Sequence, residues 1–195
     1  MGLPGINFQH EFSAEIDVVK QGYIERNFRP KVLFRDVREF IPEDAKRATT
    51  AYGANVPIPT VDMLVAGFVC KDLSSLNSRK KTLEDRGESG DTFAAIYSYA
   101  KNFRPGIVLL ENVANTKALW DNLMLKWAAI GYKCQWLYCD TKHYYLPQTR
   151  KRMYMIAIEK NRFGKGVEQA AEKWKVTMEK LRRQVRILHC KVSEA

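Results

Sequence analysis

The sequence is poor in the residues that build metal sites and disulfide frameworks. Its 195 residues include four cysteines and three histidines, and no two cysteines form a CxxC pair. Such spacing lacks the common zinc-binding patterns, and the cysteine density is far below that of a disulfide-stabilised domain. We therefore predict that the chain holds no structural metal and no disulfide framework.

Export and membrane signals are also lacking. The first residues, MGLPGINFQHEF, have neither a basic start nor an apolar core. No run approaches the length of about 18 consecutive apolar residues that a membrane span needs. These absences predict an intracellular protein without a membrane partner.

Positive charge is present in excess, and it is unevenly distributed. Lysine and arginine number 32 against 22 acidic residues, a net charge of +10, which favours a polyanionic partner. Residues 160 to 195 hold ten of the basic residues and four of the acidic ones. There apolar residues recur at steps of three and four, which predicts an amphipathic helix. They are Val167, Ala171, Trp174, Met178, Leu181, Val185 and Leu188. We therefore divide the chain into a main domain, 1 to 159, and a basic helical tail, 160 to 195.

Short apolar runs alternate with helical patterns along most of the chain. Six runs have the length of buried strands: Phe12 to Ile16, Lys31 to Phe34, Asp62 to Gly67, Ile107 to Glu111, Cys134 to Tyr138 and Arg152 to Ile158. Helical patterns cover Val18 to Asn27, Thr92 to Asn102 and Leu119 to Ala129. This alternation predicts an α/β fold, with a parallel sheet and helices on both faces.

Two stretches lack this pattern. Pro42 to Pro59 has a mixed composition with two prolines near its end, and we interpret it as a helix of uncertain extent plus a linker. Ser74 to Ser89 is polar and carries charges of both signs, which is typical of a long mobile loop.

Polar side chains stand where the predicted strands end. They are Glu15 and Asp17, Asp36, Cys70, Glu111 and Asn112, and Asp140. Ligands of parallel α/β sheets bind beyond the carboxyl ends of the strands. The accumulation of reactive groups at successive strand ends therefore predicts a binding or catalytic site at that edge.

Three segments carry the candidate chemistry. In Gly67-Phe68-Val69-Cys70 a cysteine leaves a strand end, where it is either a nucleophile or a buried structural residue. In Glu111-Asn112-Val113 a carboxyl group closes an apolar strand, where it is either a proton donor or a helix cap or structural ion pair. Gln148, Arg150 and Arg152 alternate along an extended segment, so their side chains are expected on one face. Such guanidinium groups bind phosphate, carboxylate or a base edge, unless the strand is simply solvated.

In this order, the three segments resemble the Cys loop, the ENV triplet and the QxRxR segment of the cytosine-5 methyltransferase family. The resemblance covers about Ala14 to Ile158. It implies a Rossmann-like, S-adenosylmethionine-dependent methyltransferase sheet, mostly parallel with an antiparallel last strand.

The resemblance also implies roles for individual residues. Cys70 is the nucleophile that adds to C6 of cytosine, Glu111 relieves charge at N3, and Asn112 fixes the strand end. Arg152 contacts the base and favours the thiolate, while Arg150 braces the site or meets phosphate. The residues implied for S-adenosylmethionine are Glu15 at the ribose, Ile16 beside it, Asp36 and Val37 at the adenine, and Gly67 and Thr92 in the pocket. The residues implied for DNA are Ser74, Arg79, Lys80 and Gln148.

The chain departs from the family pattern in three places. Val69 stands where the family usually has proline. The Gly-rich first strand expected before Gly2 is lacking, as is the target-recognition domain expected after the QxRxR segment. The resemblance thus implies a catalytic domain truncated at both ends.

Two classes of function remain open at this point. The first is an enzyme, a DNA cytosine-5 methyltransferase or its tRNA-modifying variant. The second is an inactive methyltransferase-like module that binds nucleic acid or a protein. The segment LSSLN after Cys70 resembles the DNA enzymes of the family, those of eukaryotes and of fungi in particular. This resemblance implies that the protein is located in the nucleus.

Overall fold

The computed structural model describes residues 7–68, 88–114, 117–144, 146 and 148–192, and within these ranges it describes no side chains for 88, 89, 117, 118 and 183–192. The chain forms two compact units. The first consists of Met1–Val61 and Ala94–Phe103, and the second of Asp62–Phe93 and Arg104–Ala195.

In the first unit, two parallel strands flank a helix. Strand β1 (Phe12–Ala14) pairs with β2 (Val32–Phe34), and helix α1 (Val18–Phe28) connects them. The Asp17 carboxylate caps α1 by accepting hydrogen bonds from the backbone N–H groups of Val19 and Lys20, at 2.9 and 3.2 Å. This β–α–β unit was predicted from the sequence, and its two strands end at the same edge.

The prediction of a helix between Pro42 and Pro59 is wrong. That stretch instead forms an antiparallel hairpin of β3 (Arg47–Thr49) and β4 (Asn55–Pro57), preceded by a short 3-10 helix at Val37–Phe40. Its turn contains Gly53 at φ +87°, a conformation that glycine adopts without steric cost. Strands of three residues are too short to show the alternation that identifies a strand in the sequence.

Aromatic rings form the core of this unit. Phe34 and Phe40 pack edge to face at 5.3 Å, and both contact Phe12. Helix α2 (Glu88–Phe103) contributes Tyr99, whose ring lies 5.8 Å from Phe40 and whose hydroxyl donates to the Pro59 carbonyl at 2.6 Å. The buried hydroxyl is thereby satisfied, as a buried polar group must be.

The second unit is built on a four-stranded sheet, in the order β5-β6-β8-β7. These strands are β5 (Met63–Gly67), β6 (Ile107–Val113), β7 (Tyr132–Asp140) and β8 (Lys151–Glu159). Strands β5 and β6 are parallel, whereas β8 runs antiparallel to both β6 and β7. Three strands therefore share one direction, and the start of β8 lies at the edge where the other three end.

Helices cover parts of this sheet. Helix α3 (Lys117–Ala129) buries Trp120, Leu123 and Trp127 completely. After the short helix α4 (Lys160–Phe163), the long helix α5 (Val167–Val192) packs Val167 and Ala171 against Ile158. Farther along α5, Leu181 is 45% exposed, so the apolar stripe is not buried along its whole described length.

Ion pairs and hydrogen bonds fix α5 to the sheet as well. Lys133 on β7 pairs with Glu168 at 2.5 Å, and Gln135 donates to Glu172 at 2.7 Å. The division of the chain at residue 159 stays a prediction. Within the part of the chain that the structure describes, no helix combines the length and apolarity of a membrane span.

Two buried thiols on β7 give a prediction about reactivity. Burial raises the pKa of the Cys134 thiol to about 12, and it also raises the pKa of Cys139. Because the thiolate is the reactive form, iodoacetamide at pH 8 is expected to leave both residues unmodified in the folded protein. Peptide mass spectrometry measures this, with guanidinium-unfolded protein as the control in which both are alkylated. Alkylation of Cys134 in the folded protein would contradict the described burial.

Candidate active site

The predicted catalytic carboxyl group lies where β5 and β6 end and β8 begins. Glu111 on β6 stands opposite Gly67 on β5 and opposite Tyr154 on β8. A Cβ atom at Gly67 would lie 3.3 Å from Glu111 Oε2, closer than ordinary van der Waals contact. Glycine at this position therefore leaves the space that the carboxylate of Glu111 occupies.

Two arginines converge on Glu111. Arg152 Nε lies 2.7 Å from Glu111 Oε1, and Arg150 Nη2 lies 3.9 Å from the same oxygen. The Glu111 side chain is 32% exposed and that of Arg152 is 20% exposed, so the closer pair is partly shielded from water. The antiparallel direction of β8 is what brings these arginines to the end of β6.

The alternation predicted for residues 148 to 152 holds only in part. Strand β8 begins at Lys151, and Gln148 lies before it in a tight turn in which its N–H donates to the Leu146 carbonyl at 2.7 Å. Gln148 is exposed, and the chain bends there before β8 begins at Lys151.

Asn112 fixes the end of β5. Its side chain is 2% exposed, and Nδ2 donates to the Phe68 carbonyl at 3.2 Å. The Phe68 ring is buried against Phe93 at 5.5 Å and Trp120 at 6.4 Å. Phe68 is thus anchored through both its backbone and its ring, two residues before the candidate nucleophile.

Four predicted site residues lie outside the described residues. They are Cys70, Ser74, Arg79 and Lys80. Their predicted roles rest on the sequence, and what the structure supplies is the position of Phe68, from which the chain continues towards Cys70.

In the first unit, the candidate cofactor residues follow adjacent strand ends. Glu15 comes directly after β1, and its N–H donates to the Phe34 carbonyl at the end of β2, at 3.1 Å. Ile16 is 60% exposed, and Asp36 lies two residues after β2. Carboxylates beside an exposed apolar side chain suit the hydroxyl groups and the ring of a nucleoside.

The Asp36 carboxylate already forms an ion pair with Arg38. Its carboxylate accepts hydrogen bonds from Arg38 Nε and Nη2, at 3.0 and 2.6 Å, and from the Arg38 N–H at 2.9 Å. Hydrogen bonding by the Arg38 side chain holds the pKa of Asp36 below its usual value. A nucleoside amine at Asp36 would therefore have to share the carboxylate with Arg38, and Val37 follows as the first residue of the 3-10 helix.

The remaining candidate cofactor residues, Gly67 and Thr92, belong to the second unit. Thr92 is half-buried on α2, next to the buried Phe93 that packs on Phe68. Thr92 is therefore next in sequence to Phe93, one of the residues that anchor the end of β5.

Tyr154 lies on the same face of the sheet as Glu111 and Arg152, although it was not predicted from the sequence. It stands opposite Glu111, and its pKa is raised mainly by burial and next by the Glu111 carboxylate. The signal was available, because Tyr154 continues the period of two through Arg150 and Arg152. Among the residues whose side chains are described, no cluster of histidine, cysteine and acidic groups could hold a metal ion.

Comparisons with known proteins point to one family. A family model for the C-5 cytosine-specific DNA methylase matches residues 1–191. The chain is 44% identical over 177 residues to DNA (cytosine-5-)-methyltransferase DMT5 of Cryptococcus neoformans, and 30% identical over 222 residues to DMT5 of Verticillium dahliae. These matches cover 90% and 89% of this chain but span 7% and 9% of the length of those relatives.

A solved structure shows the same fold. The S. pombe Dnmt2 methyltransferase superposes with a TM-score of 0.54 at 15% identity, over 76% of this chain and 43% of the other. At this identity the likeness concerns the fold alone. It confirms the predicted α/β methyltransferase architecture.

Proposed function

This chain belongs to the C-5 cytosine-specific DNA methylase family, and we propose that it transfers a methyl group to C5 of cytosine in DNA. The observation that carries this proposal is the placement of Glu111 beside Arg152 at the edge where the chain leaves β5 for Cys70. Members of the family use S-adenosylmethionine as the methyl donor.

C5 of cytosine is itself a poor nucleophile towards a methyl group. The reaction therefore needs a nucleophilic residue of the protein that adds to the ring first and activates C5. In the proposed mechanism the Cys70 thiolate forms a bond to C6, the ring electrons shift towards N3, and N3 takes a proton from Glu111. C5 then carries enamine character and would take the methyl group from the sulfonium of S-adenosylmethionine, which would be left as a neutral thioether. Release of the C5 proton to water restores the C5–C6 double bond and expels the Cys70 thiolate, while N3 returns its proton to Glu111.

The side chains around Glu111 support this chemistry. Arg152, the closer of the two arginines, is positioned to contact the base and to stabilise charge that develops on the ring. Arg150 is more exposed and stands farther from the carboxylate, which suits a bracing role or a phosphate contact. Asn112 holds Phe68 and so fixes the start of the segment that carries the nucleophile.

The cofactor residues are proposed from their places at the strand ends. Glu15 would bind the ribose hydroxyls, with Ile16 and Val37 covering the adenine ring and Asp36 accepting its amine. Gly67 and Thr92 would line the pocket in the second unit. When bound, S-adenosylmethionine supplies an electrophilic methyl group.

The proposed substrate is a cytosine in duplex DNA. A stacked base hides C6, so the target nucleotide must leave the helix before Cys70 reaches it. Ser74, Arg79, Lys80 and Gln148 are proposed to contact the DNA. The nucleus is proposed as the location because of the resemblance to fungal enzymes. Residues 1–159 are proposed as a methyltransferase catalytic domain, with 160–195 as its basic helical tail.

Trapping of a covalent adduct tests the proposal. The chain is incubated with S-adenosylmethionine and a duplex containing 5-fluorocytosine, whose C5 fluorine cannot leave as a proton does, so Cys70 stays bonded. We expect a mass increase equal to the modified strand, mapped to the Cys70 peptide and dependent on the cofactor. Absence of this adduct, under conditions where a full-length relative reacts, would overturn the enzyme proposal. DNA binding without the adduct would favour the inactive binding module.

A further inference from the structure

Thr141, which directly follows β7, forms hydrogen bonds with the backbone of the segment that precedes β8. The Thr141 hydroxyl donates to the Gln148 carbonyl and accepts a hydrogen bond from the Arg150 N–H at 2.9 Å. The Thr141 N–H in turn donates to the Arg150 carbonyl at 3.3 Å. A single residue thus binds the backbone at both ends of residues 148 to 150.

This arrangement modifies the start of the antiparallel ladder. Strands β7 and β8 are in register down to Asp140 opposite Lys151, which makes Thr141 and Arg150 the next pair. In a regular hydrogen-bonded pair, each residue donates its N–H to the carbonyl of the other. Here the Arg150 N–H donates to the Thr141 hydroxyl, so a side chain accepts the bond in place of a backbone carbonyl.

The Thr141 hydroxyl forms both side-chain bonds through one oxygen, which donates and accepts at once. Serine retains this ability, whereas valine has nearly the shape of threonine and neither function. Thr141 directly follows Asp140, the buried last residue of β7, so its backbone continues from a strand that is paired within the sheet. The hydroxyl therefore lies at a fixed point to which residues 148 to 150 are attached.

Resting on the proposed function, we propose that Thr141 is a positioning residue that acts through Arg150. Arg150 Nη2 is 3.9 Å from Glu111 Oε1, while the Arg150 backbone lies outside β8, which begins at Lys151. The Thr141 hydroxyl supplies the N–H partner that this backbone position needs. Its loss leaves the Arg150 guanidinium less well placed beside Glu111.

The first measurement follows the backbone and is independent of activity. Amide hydrogen exchange of Arg150 is compared in the wild type, Thr141→Val and Thr141→Ser. We expect exchange at Arg150 to accelerate at least about tenfold in the valine variant and to stay near the wild-type rate in the serine variant. Unchanged protection in Thr141→Val would overturn the proposal, whether or not the chain is active. If the valine variant does not fold, Thr141→Ala removes the same hydroxyl without adding an apolar group.

The second measurement asks whether the effect passes through Arg150. We expect Thr141→Val to slow adduct formation about tenfold and Thr141→Ser to stay within about threefold of the wild type. In an Arg150→Met background, adding Thr141→Val should have almost no further effect, because the group it positions is gone. Additive losses would overturn a role through Arg150. Failure of the wild type to form an adduct would instead overturn the proposed function and leave the exchange result to decide the position of Arg150.

Discussion

Replacing Glu111 with glutamine is expected to slow formation of the 5-fluorocytosine adduct by about 10²- to 10⁴-fold, the range typical of a lost acid–base catalyst. Glutamine keeps the shape of glutamate but cannot release a proton to N3. It also replaces with an amide the carboxyl group that Arg152 contacts at 2.7 Å. Because the variant retains the volume beside Gly67, its fold and its thermal midpoint should change little.

Glu168→Gln is the matched control for this variant. Glu168 also pairs with a cation of the same sheet, Lys133, at 2.5 Å, but it does so at the beginning of β7 and not at the strand ends. Adduct rates measured by quenching and mass spectrometry should be unchanged in the control. An adduct rate within about threefold of the wild type in Glu111→Gln would remove Glu111 from the proposed chemistry.

The second large effect concerns stability and involves Arg104. Its guanidinium pairs with the Glu159 carboxylate, which is 4% exposed, and donates to the Ile130 carbonyl. It also lies 5.2 Å from the centre of the Tyr132 ring. Arg104→Met leaves a buried carboxylate whose other described partner is the Arg162 N–H at 2.6 Å. We expect a loss of about 3 kcal/mol in the free energy of unfolding, at the low end for a buried pair because Arg104 itself is partly exposed.

Lys101→Met separates this effect from the loss of any surface ion pair. Lys101 and Glu43 are close, at 2.5 Å, but both side chains are exposed, so the urea midpoint should hardly move. Removing both members of the buried pair, in Arg104→Met with Glu159→Met, should recover part of the stability. Urea denaturation followed by tryptophan fluorescence measures all three variants. Equal urea midpoints for Arg104→Met and Lys101→Met would show that burial of the Glu159 carboxylate adds nothing to the stability contributed by its ion pair.

Most strands and helices could be predicted from the sequence because their apolar residues follow clear periods. The apolar runs before Gly67 and Glu111 marked β5 and β6, and the structure extends β6 by two residues to Val113. The hairpin of β3 and β4 escaped prediction because each strand has three residues and Pro57 closes the second. Periodicity needs a longer window than such strands provide.

The candidate site could be predicted as a set of residue types but not as a set of contacts. Polarity at the strand ends pointed to Glu111 and Asn112, and the period of two pointed to Arg152. Bonds from side chains to backbone carry no comparable pattern, which is why neither the Asn112 contact with Phe68 nor the role of Thr141 was predicted. The pairing of Asp36 with Arg38 was likewise invisible, since it depends on how the chain turns after β2.

The order of the strands has a consequence for how the site is made during synthesis. Strand β8 lies between β6 and β7, so these two have no direct pairing with each other. A nascent chain that has been synthesised only as far as β7 cannot yet complete this sheet, and Arg152 is not yet beside Glu111. The site is therefore assembled after the last strand has been inserted, so a partly folded chain lacks the pairing of acid and arginine on which the proposed reaction depends.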